Sequence, residues 1–473
     1  MDQITEPVSG VVSEIPVEAP VEASSRKKET IEIVMSRLKR TSSKSYESEI
    51  SRSTKTVFTR VKYVIKTGIE PVDTLTGGIP VGRTTEIYGL EGCLKTALMV
   101  QICGCAQQGE IYEVTQTPQG MTYKKIEDPI EVTVLYIDNE TSLEDNQRLI
   151  VRGKKVDMIQ SDADTIDMIY KQVEETVDCL EEVEAQSEAE HKKSQEEYKK
   201  SVAANKKDKS VPIKPVKPLV KQFLVVVVDT IAATATIQEM TAVWGKQDFP
   251  RAAQAIKAGF KKLVRRMNDR NVAFIVGNQV GTSFAQKSRN AGKFLLPQEA
   301  DFETSGGRVV KYFASMRIFM VNANPNYKVF QSSKFPDGQV TQLYTTKNRL
   351  VKPRRTARMA LLYRTGLSNE YSILEHLAHF KLCTWKDTGA ISFNFKKYGI
   401  SLPPSIEDDD ASDGEVEIPH KQHWPKIYAK YKPAFDELYE KSRKIMFETD
   451  SLDYEGLAED EDEDGIGDAL SND

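Results

Sequence analysis

The chain has 473 residues, enough for a large core and two or three domains, but only 39% are hydrophobic and 29% are charged, which assigns part of it to solvated tail or linker. No apolar run reaches membrane-spanning length, and the N-terminus lacks the basic start and apolar core of a secretion signal. The five cysteines (Cys93, Cys103, Cys105, Cys179, Cys383) are never spaced CxxC, which argues against a disulfide framework or a zinc site and for a reducing cytoplasm.

The net charge of -5 conceals segregation, with residues 26–66 basic and the C-terminal region densely acidic. Residues 1–25 mix Pro, Val, Glu and Ser without period and read as a disordered leader; Ile31, Ile33, Val34 and Leu38 then mark a short amphipathic helix that docks on its own domain or on a neighbouring subunit. Residues 1–57 are therefore expected to be leader and oligomerisation helix. From 58 to 88 the pattern is strand, turn, short helix, Gly-rich turn and strand, leading into Gly89-Leu90-Glu91-Gly92-Cys93-Leu94-Lys95-Thr96-Ala97. Gly89, Lys95 and Thr96 fit the pattern GxxxxGK[ST], the loop whose backbone N–H groups and helix N-terminus surround phosphates, whose Lys reaches the outer phosphates and whose hydroxyl ligates Mg²⁺. Leu94 stands where the second glycine is expected.

Residues 108–130 read as an inserted hairpin before the strand Val132–Ile137, which ends in Asp138-Asn139-Glu140. Ile166, Ile169, Val173, Val177 and Leu180 mark one helical face, and the Glu/Lys-rich and then Pro-broken stretch 182–220 reads as a solvated insertion. Phe223–Val228 is the continuous branched run of a central parallel strand and ends at Asp229. A helix over 251–268 and a strand over 272–276, closing on Asn278-Gln279, come next. The expected fold is α/β, a mostly parallel central sheet flanked by helices, with its polar residues at the strand ends where such sheets bind ligands. Asp229 fits a cation-holding role with Thr96, through water; Glu140 fits activation of a water, and Gln279 a hydrogen bond to a terminal phosphate.

Taken as a set, these residues resemble the RecA recombinases. The resemblance is carried by Lys66-Thr67-Gly68-Ile69-Glu70-Pro71-Val72-Asp73, Gly77–Arg83, Glu86-Ile87-Tyr88-Gly89, Tyr136–Glu140, Val227–Thr230, Gly277–Gln279 and Thr304–Arg317 in the same order. It covers roughly residues 30–395, and Leu94 beside otherwise intact motifs is similar to the phage UvsX branch. The resemblance implies a RecA-type P-loop ATPase core over 58–395 and a C-terminal helical region with an acidic tail over 396–473. It implies ATP and Mg²⁺ as cofactors, Glu140 as catalytic glutamate, Gln279 as the link from the γ-phosphate to the DNA loops, and Lys347 and Arg349 as cations reaching a neighbouring subunit's nucleotide. Lys311 and Tyr312 fall on the family's interface strip, and DNA contact falls to loops 237–250 and 280–305, with Lys287, Arg289, Lys293, Phe294 and Arg308 offering charge and a stacking group.

The implied activity is a DNA-dependent ATPase that forms helical filaments on single-stranded DNA and pairs it with double-stranded DNA, with loader or single-strand-binding proteins as partners, in a host cytoplasm or nucleoid. Two alternatives stay open: a nucleotide-dependent architectural protein without useful turnover, and a ring-forming helicase motor. The family's adenine-stacking aromatic has no equivalent here, because Gln147 and Arg148 occupy its neighbourhood. His376, His379, His420 and His423 lack the companions of a metal site.

Overall fold

Residues 221–229 (β4) alternate their side chains between two apolar layers, and that alternation organises the fold. In the computed structural model, Phe223, Val225 and Val227 face one core cluster while Leu224, Val226 and Val228 face another, so the strand is covered on both sides. The structure describes residues 61–448 apart from 118–119, 142, 144–149, 236–248, 268–269, 283–301, 305–307, 324–327, 330–335, 387–388, 403–410 and 413. The expected leader and N-terminal helix, residues 237–248 and 283–301 of the two expected DNA loops with Lys287, Arg289, Lys293 and Phe294, the Gln147–Arg148 pair and the acidic tail lie outside the described residues.

The other main-sheet strands are Arg83–Gly89 (β1), Ile130–Asp138 (β2), Ile159–Ser161 (β3), Val272–Thr282 (β5), Met316–Asn322 (β6), Gly338–Lys347 (β7), Thr356–Leu362 (β8) and Gly366–Ser368 (β9). They are ordered β9-β8-β7-β6-β1-β5-β4-β2-β3 in an eleven-stranded sheet that also includes Phe302–Thr304 and Lys328–Val329. The run from β6 through β1, β5, β4 and β2 to β3 is parallel; β7, β8 and β9 extend it antiparallel. The α/β reading therefore holds, with an antiparallel wing.

One face is covered by helix Lys95–Gln107, buried along most of its length and apolar nearly all round, as a helix enclosed by its surroundings must be. The other is covered by helix Phe249–Met267 and by the first turns of Ile166–Lys207, whose Ile166, Ile169, Val173 and Val177 are buried. The inserted hairpin forms as Ile111–Thr117 and Gly120–Lys125 and pairs with Tyr63–Ile65, making a separate small sheet.

The stretch 182–220 differs from a helix followed by a free tether. Helix Ile166–Lys207 runs unbroken for 42 residues, and the Pro-rich segment after it lies back along its surface. The backbone N–H groups of Lys214, Lys217 and Val220 donate to the hydroxyls of Ser201, Ser194 and Ser187 at 3.1, 3.0 and 3.4 Å. Pro212, Pro215 and Pro218 set the three-residue period of a polyproline II strand, so every third N–H returns to the same side about 9.3 Å farther on, close to the ~10.5 Å rise of seven helical residues.

Beyond β9, helix Asn369–His379 leads to a second small sheet in which Ile391–Asn394 pairs with Glu415–Ile418, across the expected boundary at 395/396. Phe393, Phe395, Trp424, Tyr428 and Phe435 make its aromatic core. The expected C-terminal helical region contains two helices, Trp424–Lys430 and Lys432–Glu448, and the second reaches back so that Tyr439 Oη and Thr74 Oγ1 lie 2.9 Å apart. His376 is buried there against Phe380 and Tyr439, and no group of three His, Cys, Asp or Glu among the described residues is arranged to hold a metal.

Candidate functional site

Strand register brings the site together. Gly89 lies opposite Gln279 on β5, and Asp229 at the end of β4 lies opposite Asp138 at the end of β2. β1, β5, β4 and β2 are neighbours, so residues separated by up to 190 positions emerge on one edge of the sheet.

The first glycine of the loop is required by packing, since a Cβ on Gly89 would lie 2.0 Å from Met320 O. Gly92 adopts φ +73 with nothing near its missing side chain. Leu94, which replaces the second glycine of the pattern, has φ 66 and ψ 24, the left-handed conformation that glycine supplies without cost. Its side chain packs against the main core rather than standing free. Lys95 is buried and arches over the loop, its Nζ donating to Leu90 O at 2.8 Å and Gly89 O at 3.2 Å.

Thr96 Oγ1 donates to Asp229 Oδ2 at 2.7 Å, and Tyr136 Oη donates to the same oxygen at 2.8 Å. Burial pushes the Asp229 carboxyl above its usual range, the bonds from Thr96 and Tyr136 pull it back, and the nearby Glu140 and Asp138 charges raise it further. Gly277 makes room for this carboxylate, because a Cβ there would lie 3.0 Å from Asp229 Oδ1. Glu140 Oε1 accepts from Thr230 Oγ1 at 3.1 Å and from Gln279 Nε2. Beneath Gln279, Asn278 Nδ2 donates to Glu86 Oε1 at 2.9 Å, and the Glu86 carboxylate is paired with the buried Arg317 guanidinium.

These groups open onto a cavity of about 780 Å³, within the size range of small-molecule sites. Its walls are the loop from Glu91 to Ala97, Glu140 and Gln279, with Ile150, Val151 and the β8–β9 turn from Leu361 to Leu367 on the apolar side. Tyr363 is on that turn; its distance in sequence from every phosphate-loop signal kept it out of the sequence reading. Gly277 and Tyr136 were likewise missed as site residues, although both fall inside the quoted motifs.

A hydroxyl and a carboxylate 2.7 Å apart form an all-oxygen donor pair suited to Mg²⁺, and a lysine with a helix N-terminus suits phosphates. The residues present therefore fit a magnesium-bound nucleoside triphosphate.

Lys347 and Arg349 are not brought to this cavity. Lys347, at the end of β7, donates from Nζ to Lys311 O and Tyr312 O, both at 3.1 Å, closing the end of helix Arg308–Phe313. Burial, then the neighbouring Arg349 charge, lowers its pKa from the ordinary value. Arg349 is exposed, as are Lys311 and Tyr312, and Arg308 opens the same helix.

A strand, a phosphate-type loop and a helix at the edge of a mostly parallel sheet define an α/β protein built around a nucleotide site. Within that class the chain is RecA-like: residues 217–368 match the RecA N-terminal domain. It is 24% identical over 314 residues to "Protein RecA" of Laribacter hongkongensis, a match spanning 66% of this chain and 67% of that protein. It is 26% identical over 233 residues to "Protein RecA" of Clostridium botulinum (46% and 59%), and 22% identical over 338 residues to that of Ureaplasma parvum (71% and 78%). No helix of the described residues is long and apolar enough to cross a membrane.

Proposed function

We propose that the chain is an ATP-dependent homologous recombinase that assembles as a filament on single-stranded DNA, and that Leu94 aligns it with the phage UvsX branch. The observation that carries the reading is the meeting of Lys95, Thr96, Glu140 and Gln279 around one cavity, with the buried Asp229 bonded to Thr96 behind it and Glu140 bonded to Gln279. Lys95 and the loop N–H groups bind the phosphates; Thr96 and Asp229 hold the magnesium, the Asp through water. When bound, Mg²⁺ offsets phosphate charge as the terminal bond breaks. Glu140 orients a water and accepts its proton, and Gln279 is placed to report the terminal phosphate toward the segment following β5. Lys347 and Arg349, remote from their own cavity, act on a neighbour's nucleotide, and the exposed Lys311 and Tyr312 line that contact. The loop residues Lys287, Arg289, Lys293 and Phe294, together with Arg308 at the start of helix Arg308–Phe313, contact DNA. Residues 1–57 serve assembly, the main-sheet part of 58–395 forms the ATPase core, with Ile391–Asn394 belonging to the C-terminal unit, and a cytoplasmic setting follows from this activity.

The test is ATP turnover with and without single-stranded DNA in the parent chain and in Glu140→Gln. The expected result is DNA-stimulated turnover that falls about 100-fold or more in the variant, while nucleotide affinity is retained. Turnover indifferent to DNA would overturn the recombinase reading, and turnover unchanged by Glu140→Gln would favour an architectural role. Closed hexameric rings on DNA in electron micrographs would favour the helicase motor.

A further inference from the structure

Helix Ile166–Lys207 is longer than the sheet it covers. Val220 meets Ser187 one residue before β4 begins, so residues 187–207 overhang the sheet edge opposite the nucleotide cavity by roughly 30 Å. This overhang buries no apolar stripe of its own, and a helix polar all round is not normally held in place without a partner. Here the partner is the proline strap. Besides the three serine bonds, His191 Nδ1 lies 2.6 Å from Lys217 O, Asn205 Nδ2 donates to Val211 O at 2.6 Å, and Lys214 and Lys217 pair with Glu197 and Glu190 at 3.1 and 2.9 Å.

The sequence of the overhang is a repeat. Ser187, Ser194 and Ser201 each begin a seven-residue unit that ends in two lysines: Lys192 and Lys193, Lys199 and Lys200, Lys206 and Lys207. At roughly 100° per residue, those lysines stand about 140° and 240° around the helix from the serine, on the face turned away from the strap. All six are exposed. Across the arm and strap, residues 187–217, nine lysines meet five carboxylates, Glu188, Glu190, Glu196, Glu197 and Asp208, and of the six ladder lysines Lys192 lies 3.7 Å from Glu188. The braced arm thus presents a ladder of lysine pairs stepping about 10.5 Å, while three base pairs of duplex rise about 10.2 Å along each phosphate strand.

We propose that this arm is a second nucleic-acid contact, whose lysine ladder binds the phosphate backbone of double-stranded DNA independently of the nucleotide site. The proposal takes its DNA context from the recombinase reading above, but it is tested separately. Contact is to phosphates alone, so it is indifferent to sequence and strongly salt-dependent.

The experiment replaces the six ladder lysines by Gln, which keeps helix propensity and leaves the serines and strap intact, with a six-Arg variant as the charge-preserving control. Equal far-UV circular dichroism and melting temperature establish that the arm is folded. Binding of a 30-base-pair duplex and of single-stranded DNA is then measured across a salt series. The Gln variant is expected to lose about tenfold or more in duplex affinity, with a salt slope shallower by about three, and the Arg variant to restore both. DNA-stimulated ATP turnover on single strands is expected to stay within twofold. Duplex affinity and slope unchanged in the Gln variant would overturn the proposal. Unchanged duplex binding together with lost self-association would overturn it in favour of docking on an acidic region of another copy. Loss confined to single strands would also overturn it. A parent chain whose turnover ignores single-stranded DNA, yet whose duplex binding needs the lysines, would sink the recombinase reading and leave the arm standing.

Discussion

Asp229 illustrates a residue whose surroundings serve chemistry better than stability. Its carboxyl is raised above the usual range chiefly by burial, so the fold favours the protonated form more than the unfolded chain does. The sign follows: a carboxyl with a raised folded pKa makes a stability contribution that diminishes as pH climbs from the unfolded value through the folded one. Asp229→Asn keeps an acceptor for Thr96 and Tyr136 while removing the charge. Its melting temperature without nucleotide is therefore expected to match or exceed the parent's, while magnesium-dependent turnover falls about 100-fold or more. A melting temperature several degrees lower would show that the charge is structural. Leu94 presents the opposite trade. Its left-handed backbone costs on the order of 1–2 kcal/mol, and its side chain returns part of that by packing on the core. Leu94→Gly relieves the first and forfeits the second, so stability is expected to move by less than about 1 kcal/mol. Because Leu94 lines the cavity at the helix N-terminus, nucleotide affinity or turnover should shift several-fold in a titration with a fluorescent analogue. Identical kinetics would mark the replacement as neutral.

At the level of elements, what could be read from the sequence follows from what buries apolar surface. β4 was plain because both its faces are covered, leaving no polar position to interrupt the run from Phe223 to Val228. Glu140, Asp229 and Gln279 were legible because each follows such a run. The strap was not, because its bonds join backbone N–H groups to serines in a Glu/Lys-rich helix, and neither partner carries a hydrophobic signal. The C-terminal sheet was hidden for a related reason: Ile391–Asn394 and Glu415–Ile418 have four residues each, too short to show an alternation. Helix Asn369–His379 joins this unit to the main sheet, and there the sequence raised only a weak metal question about His376. The structure answers with burial: the imidazole has no hydrogen-bond partner at either nitrogen among the described residues, and burial, aided by the Arg358 charge, lowers its pKa to about 3. The neighbouring His379 is lowered well below the ordinary value by burial, Arg358 and His376. A histidine neutral when folded and protonated when unfolded contributes stability that is intact above the unfolded pKa and declines as pH falls from there toward the folded pKa. Between pH 7 and pH 5 His376 should account for about 2 kcal/mol of lost stability. His376→Leu is expected to remove that portion in urea titrations at the two pH values, and an unchanged pH dependence would show that the ring is solvated or paired in solution.

At the scale of the whole molecule, the proposed catalytic groups fall on two separated surfaces of one chain. Glu140 and Lys95 line the cavity and Asp229 is bonded to Thr96 just behind its wall, whereas Lys347 is bound to the carbonyls of Lys311 and Tyr312, and Arg349 stands in solvent. Cations that do not reach their own chain's cavity do little for turnover in a lone subunit. In the proposed reading they would stabilise transition-state charge where a neighbour's nucleotide is pressed against them and water is excluded. Such a contact is head to tail, so it repeats along an open assembly and leaves incomplete sites only at the ends. This arrangement makes complementation the decisive measurement. A chain carrying Glu140→Gln keeps intact cations, and a chain carrying Arg349→Ala keeps an intact cavity, so each alone is expected to be nearly inactive. In an equal, randomly ordered mixture, one junction in four pairs an intact cavity with an intact Arg349, and turnover should recover to about a quarter of the parent's. Recovery should appear only at concentrations, and on DNA lengths, that support assembly. A mixture no more active than its components would place Arg349 in its own chain's chemistry or outside the reaction, and the two-surface division of the site would have to be abandoned.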